Sequence, residues 1–177
     1  MLGGNGHDVE SGGLDADRLT GGAGNDAISG DDGDDSLSGD DGDDVTRGGT
    51  GNDTEHGGRG NDSMFGDEGA DTLSGGIGDD RLFGGKGNDV LSGDAGNDTF
   101  VFKSGDGDDR ITGGFTAKGT DDQLDLRSTT FNFVTFQDVL DHATQIGHDT
   151  VIDLGGGDSV TLTNLNKTSL ASEDFVL

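Results

Sequence analysis

An all-β array of short stacked strands is the fold class this sequence predicts, and three observations predict it. A nine-residue period runs without insertion from Gly3 to Val101. Only 27 % of the 177 residues are hydrophobic against a formal net charge of -27, too little apolar surface for an ordinary packed core. Each period also leaves three residues between its aspartate and the next glycine, enough for a short strand and too few for a helix.

The repeat divides into eleven blocks, of which Gly84-Gly85-Lys86-Gly87-Asn88-Asp89-Val90-Leu91-Ser92 is a well-formed example. Position one is Gly in all eleven; position four is Gly in ten, with Asp15 the exception. Position six is Asp throughout: Asp8, Asp17, Asp26, Asp35, Asp44, Asp53, Asp62, Asp71, Asp80, Asp89 and Asp98. Position eight is apolar in eight blocks: Leu19, Ile28, Leu37, Met64, Leu73, Leu82, Leu91 and Phe100. A twelfth, looser block runs from Ser104 to Thr112 after a two-residue insertion, with Asp109 and Ile111 in register.

Chemistry explains each position. Closely spaced glycines let the backbone take positive φ at little steric cost, so a turn can aim successive carbonyl oxygens into one small space. The sixth-position Asp adds a carboxylate at the exit of that turn. Oxygen donors alone, carboxylate and carbonyl mixed, suit a hard cation, and many donors at flexible distances suit calcium better than magnesium. One apolar side chain in the middle of each strand points inward while its neighbours point out. A single block cannot bury that residue, so blocks must stack. One inward side chain per nine residues is a weak return for ordering them, and a carboxylate in every turn adds repulsion. Cation binding is therefore expected to be part of the fold.

The pattern Gly-Gly-x-Gly-x-Asp-x-apolar-x resembles the calcium-binding repeat of RTX (repeats-in-toxin) proteins, a known class of repeat architecture. The resemblance covers 3–101 closely and 104–112 loosely. It implies a right-handed parallel β-roll with two nonapeptide repeats per turn, and several calcium ions per chain held between stacked loops. It further implies that the eleven aspartates above and Asp109 are ligands, helped by carbonyls of the glycine-rich loops. Departures from the pattern locate weak points. Glu10, Thr46 and Glu55 replace the inward apolar residue, and Thr46 and Glu55 would share one turn. That turn is expected to be the weak plane, with Gly57–Ile111 the better-formed part and Ile28–Leu37 a lesser one. The first repeat is expected to fray or to be the cut edge of a longer array. Asp replaces the second Gly at Asp31, Asp40, Asp67 and Asp94, where the turn stays permissive.

Composition changes beyond the repeats, giving a calcium-binding roll over 3–112 and a C-terminal cap over 113–177. Six of the nine Phe lie beyond Val101. Gln123–Leu126 reads as a strand. Phe136, Val139, Leu140 and Ala143 recur at helical spacing, Thr135 and Asp138 form a capping box, and Gly147 is the expected stop. Asp149–Leu154 and Ser159–Thr163 alternate at period two around Gly155–Asp158, which predicts a hairpin. Phe131, Phe133 and Phe136 are expected in the core of this cap. The terminus Asp174-Phe175-Val176-Leu177, acidic then apolar, resembles the end of serralysin-type secretion signals, which implies export by type I secretion machinery.

Several functions are disfavoured. A chain of this charge is a poor partner for nucleic acid. No apolar run approaches the roughly 18 residues of a membrane span. The opening Met-Leu-Gly-Gly-Asn-Gly lacks the basic and apolar regions of a signal peptide, and no cysteine is present for a disulfide or thiolate site. There is no His-Glu-x-x-His helix, nucleophile elbow or Walker loop, so no active site is expected. His7, His56, His142 and His148 lack companions at metal-ligand spacing, Asp32, Asp34, Asp41 and Asp43 read as solvated surface, and Arg18, Arg47, Arg59 and Arg81 are expected to pair with nearby carboxylates. The resulting expectation is a secreted, extracellular module that folds on calcium binding and supports type I export. The alternatives are the C-terminal part of a secreted protease, lipase or polysaccharide-modifying enzyme with its catalytic domain upstream, or an adhesion module with a cell-surface partner.

Overall fold

The computed structural model describes residues 1–113, 115 and 122–177. Strands follow one another at the nine-residue period: β1 Leu2–Asn5, β2 Val9–Leu14, β3 Arg18–Ala23, β4 Ala27–Asp32, β5 Ser36–Asp41 and β6 Val45–Thr50. They continue as β7 Thr54–Arg59, β8 Ser63–Glu68, β9 Thr72–Ile77, β10 Arg81–Lys86, β11 Val90–Ala95, β12 Thr99–Lys103 and β13 Asp108–Gly113. The cap adds β14 Gln123–Ser128, helix α1 Phe136–His142, β15 Ala143–Ile146, β16 Asp149–Gly155, β17 Asp158–Leu162 and β18 Phe175–Val176.

Odd-numbered strands from β1 to β13 lie side by side in one parallel sheet, and even-numbered strands from β2 to β14 form the other. Each strand pairs with the second strand after it, so Leu19 lies opposite Leu37 and Ala27 opposite Val45, each displaced by two full blocks. Two nonapeptides therefore make one turn of a parallel β-roll. Within a strand such as β4 only two side-chain positions are buried, the eighth of one block and the first of the next. The strands are longer than the spacing suggests: they run from position seven through position three of the following block. The glycine pair thus lies within the strand, and the turn proper is positions four to six. Glycine is tolerated in these strands because its missing Cβ leaves space that a neighbouring carboxylate uses.

The cap closes both sheets. β14 extends the even sheet beyond β12 and is followed by β18, while β17 adds to β13 and folds back antiparallel through β16 and β15. The expected hairpin is present, with Ile152 opposite Val160. Helix α1 has the expected start, Thr135 accepting from the Asp138 backbone and the Asp138 carboxylate from Thr135. Its end is not at Gly147. Ala143 is already extended and pairs with Ile152, because β15 gains a full ladder on β16; Gly147, at φ +64, turns the chain between those two strands. Phe133 is buried and Phe136 partly so, but Phe131 is 43 % exposed and lies outside the core, its ring 4.2 Å from that of His142.

The interior falls into two apolar clusters. The larger runs from Met64 through Leu91, Phe100 and Ile111 into the cap residues Leu124, Ile152 and Val160. The smaller holds Leu19, Ile28 and Leu37. Between them lie Thr46 and Glu55, both fully buried, on facing strands of one turn as the spacing predicts. The Thr46 hydroxyl donates to Glu55 Oε2, while Oε1 has no partner among the described residues. Burial pushes the Glu55 carboxyl up to about 8, against the bond from Thr46. The backbone ladder continues across this plane, with Glu55 opposite Leu37 and Leu73, so only the side-chain core is interrupted.

Replacing a buried polar pair by apolar residues of similar volume removes a desolvation cost. The double variant Thr46→Val, Glu55→Leu is expected to join the two clusters and stabilise the roll by about 1–4 kcal/mol, read by denaturant unfolding at saturating calcium. A loss of stability would contradict this account of the interrupted core.

Candidate metal centre

Each turn of the roll presents one loop at either end of the two sheets, so the loops stack in two columns. The even column carries Asp8, Asp26, Asp44, Asp62, Asp80 and Asp98; the odd column carries Asp17, Asp35, Asp53, Asp71, Asp89 and Asp109. Within a column every loop is tied to its neighbours through the backbone. The fourth-position N–H donates to the third-position carbonyl one turn on, as from Gly60 to Ile77 at 2.8 Å. The seventh-position N–H donates to the sixth-position carbonyl one turn back, as from Arg81 to Asp62 at 2.8 Å.

Two side-chain ladders run through the loops in opposite directions. Sixth-position Oδ1 accepts from the sixth-position N–H one turn back: Asp62 from Asp44 at 2.8 Å, Asp71 from Asp53 at 2.8 Å, Asp80 from Asp62 at 2.9 Å. Asp109 joins this ladder despite the insertion, accepting from Asp89 N at 3.0 Å. Fifth-position oxygens instead accept from the N–H one turn on, Asn52 from Ala70 at 2.9 Å and Asn61 from Asp79 at 2.8 Å. Asp34 and Asp43, expected as solvated surface, belong to this second ladder through Asn52 N and Asn61 N, each at 2.8 Å. The signal was available: position five is Asn or Asp in eight of the eleven blocks. His7 stands in the same place and its Nδ1 accepts from Asn25 N at 2.9 Å.

From Asp26 and Asp35 onward Oδ1 is thus satisfied, and through most of both columns Oδ2 is not. In Asp8, Asp26, Asp35, Asp44, Asp53, Asp62, Asp71, Asp80, Asp89 and Asp98 the second carboxylate oxygen is buried with no hydrogen-bond partner among the described residues. Asp17 and Asp109 are aligned in the columns but do not belong to this unpartnered set. Each orphan oxygen lies over the first-position glycine of its own block. A methyl group built on Gly30 would come within 2.2 Å of Asp35 Oδ2 and 2.6 Å of the Gly48 carbonyl oxygen, one turn on. Carboxylate and carbonyl therefore face one small space between consecutive turns. Among the described residues no three His, Cys, Asp or Glu side chains gather at one point. An ion here would be held by single carboxylates from stacked turns together with backbone oxygens, a donor set that fits a large hard cation.

Burial dominates the electrostatics of the columns. It pushes Asp44 and Asp98 up to about 6, Asp71 and Asp80 to about 7 and Asp109 to about 8, and raises Asp53, Asp62 and Asp89 as well. The backbone bond to Oδ1 works against burial in each, and for all but Asp89 carboxylates nearby add to the rise. Unlike these, Asp31 is held low by hydrogen bonds from Ser11 and Ser29. It sits at φ +72 in the second position, where its exposed carboxylate has its own donors.

The remaining candidates lie apart from the columns. Arg47 pairs with Asp67 at 2.9 Å, Arg59 with Asp41 at 3.7 Å and Arg81 with Asp125 at 3.7 Å, while Arg18 makes no ion pair among the described residues. His142 Nδ1 meets the Asp138 carbonyl at 2.8 Å, and His56 lies on the outer face of β7. One acid escaped the sequence reading. Asp122 Oδ1 accepts from Asp98 N at 2.9 Å, so the even column continues into β14. Its signal was the Asp-x-Leu spacing of Asp122 and Leu124, which repeats positions six and eight.

Stacked parallel strands, glycine loops and two files of buried carboxylates define a metal-binding β-roll built from repeats, and not a catalytic fold. The model of the RTX calcium-binding nonapeptide repeat (4 copies) matches residues 2–37, 11–46, 21–55, 47–82, 74–106 and 101–115. The chain belongs to that family, whose repeats bind calcium. No curated protein matches it. Among solved structures it is similar to the extracellular lipase LipA from Serratia marcescens, at 21 % identity and a TM-score of 0.56. The alignment covers 92 % of this chain and 38 % of the lipase, and at that identity the likeness is one of fold. No helix of the described residues is long and apolar enough to cross a membrane.

Two outcomes follow from the loop geometry. The folded-state carboxyls lie above the ordinary 3.8, so the metal-free roll takes up protons on folding. Their contribution is complete below about pH 4 and is lost as pH rises through about 6 to 8. In chelator the far-UV β-signal is expected to grow on acidification across that window; a signal independent of pH would contradict it. The second outcome concerns the fourth-position glycine. Gly60, at φ +125, would carry a Cβ 2.1 Å from the Gly42 carbonyl oxygen, whereas Gly6, at φ +118, has nothing within 4 Å because no turn lies beneath it. Gly6→Ala is expected to cost only backbone strain, about 1–2 kcal/mol. Gly60→Ala is expected to cost distinctly more, as measured by thermal unfolding at saturating calcium.

Proposed function

We propose that this chain is a calcium-binding module that folds as calcium binds and supports type I export and extracellular folding of a secreted protein. In this reading residues 3–112 are the calcium-binding roll and 113–177 the cap and export segment. The twelve column aspartates are the carboxylate ligands and loop carbonyls complete the donor set. The observation that carries the proposal is the set of ten buried Oδ2 atoms without partners among the described residues. A buried carboxylate oxygen with no donor is costly, and files of them repeated through the roll oppose folding. Bound calcium would supply the positive charge those oxygens lack. The chain's own part is to hold the oxygens in place: the Oδ1 ladder fixes the carboxylates from Asp26 and Asp35 onward, and the first-position glycine leaves room for the second oxygen.

At low calcium the net charge of -27 keeps the repeats apart and the chain extended, a form suited to passage through an exporter. Outside the cell, higher calcium would drive folding, because affinity for the folded state is folding free energy. A second reading, that the chain is the repeat portion of a secreted enzyme, is favoured by the likeness to an extracellular lipase, 38 % of which is covered. The isolated chain would then be inert, with the chemistry supplied by another part of the protein.

Far-UV circular dichroism titrated with calcium at neutral pH tests the leading proposal. A change from disordered to β-rich signal is expected, reversed by chelator and weakened by Asp62→Asn and Asp71→Asn. A full β-signal in chelator at pH 7.5 or above, unmoved by calcium, would reject it.

A further inference from the structure

We infer that the even column has one ligand more than the nonapeptide pattern supplies: Asp122 offers its carboxylate to a calcium-type cation in the gap between β12 and β14, which fastens the cap to the roll. This rests on the reading of the column aspartates given above. Asp122 is further from Asp98 in the chain than the repeat period allows, and it lies beyond the segment 101–115 that closes the family match. The bonds around it nonetheless reproduce those of a repeat. Asp98 N donates to Asp122 Oδ1 at 2.9 Å, as Asp80 N donates to Asp98 Oδ1 at 2.9 Å. Gln123 N donates to the Asp98 carbonyl at 2.8 Å, as Thr99 N donates to the Asp80 carbonyl at 2.8 Å. β14 is in register with β12, Gln123 opposite Thr99 and Leu124 opposite Phe100, which sets Asp122 against Asp98. Asp122 is also as buried as the repeat aspartates, at 3 % exposure.

A separate observation points to a ligand. Asp98 is wholly buried and its Oδ2 has no partner among the described residues. That oxygen takes the same seat as in the other turns, 2.0 Å from a Cβ placed on Gly93. In the turn of Gly57 this seat opens on the next turn, where Asp62 Oδ2 and the Gly75 carbonyl oxygen lie 2.3 and 2.5 Å from one point. One turn on from Asp98, the aligned acid is Asp122. The odd column ends differently. Opposite Asp109, β17 places Val160, fully buried and apolar, so that file stops at the roll while the even file enters the cap.

Counting calcium per chain by ultrafiltration and elemental analysis at saturating calcium tests the inference on the full chain, Asp122→Asn and Asp80→Asn. Asparagine keeps the oxygen that accepts from Asp98 N–H and removes the charge. One ion fewer is expected in D122N, and at least one fewer in D80N. A full complement in D122N with a loss in D80N overturns the role of Asp122 and leaves the repeat ligands standing. A full complement in both overturns the repeat reading and this inference together. Should D122N fail to fold at any calcium concentration, D122E decides: a folded D122E supports an anionic ligand, and failure of both overturns it.

Discussion

The constraint on which this structure turns is a buried anionic oxygen that hydrogen bonding alone does not satisfy, repeated along two files. Ten of the twelve column aspartates, all but the leading Asp8 and Asp17, have one oxygen engaged by a backbone N–H, and ten carry a buried second oxygen with nothing to accept from among the described residues. Desolvation is the leading influence on every raised column carboxyl, ahead of the repulsion between neighbours. The metal-free roll must therefore protonate its aspartates or stay open, whereas a cation between turns satisfies them in the charged form. On the proposed reading, fold and ligand are not separable in such a molecule.

Steric economy makes the files compact. Glycine at position one vacates the space that Oδ2 occupies, and glycine at position four lets one turn lie on the carbonyl of the last. The exception at position four, Asp15, falls in the first loop of the odd column, with no turn beneath it among the described residues. Both side-chain ladders link a turn only to its neighbours, so the energetics are those of a one-dimensional stack in which each added turn stabilises the one before it. Fifth-position Asn and Asp are as much a part of this linkage as the column aspartates are, although they face solvent.

The apolar interior plays a supporting role and is not uniform. Thr46 and Glu55 satisfy each other in part where an aliphatic pair would pack, and the core divides there while the backbone ladder runs on. The cap supplies what the repeats lack. Helix α1, the β16–β17 hairpin and β18 bury Val139, Ile152, Val160 and Phe175, and they cover the last strand of each sheet, which would otherwise present an open edge.

Much of this architecture was legible in the residues. The nine-residue phase, the inward eighth position, the core break at Thr46 and Glu55, the α1 capping box and the β16–β17 hairpin all follow from local pattern, because each depends on the chain within a turn or two. What escaped depended on contacts between segments that only the coiling of the chain brings together. The ladder role of Asp34 and Asp43, the strand that ends α1 at His142, and the alignment of Asp122 with Asp98 arise only when turns are stacked. Sequence alone determined which oxygens exist and how often they recur; the tertiary structure decided which are bonded and which are left over. The reason is physical: a carboxylate's environment is set by the backbone above and below it, and in a roll that backbone is always distant in the chain.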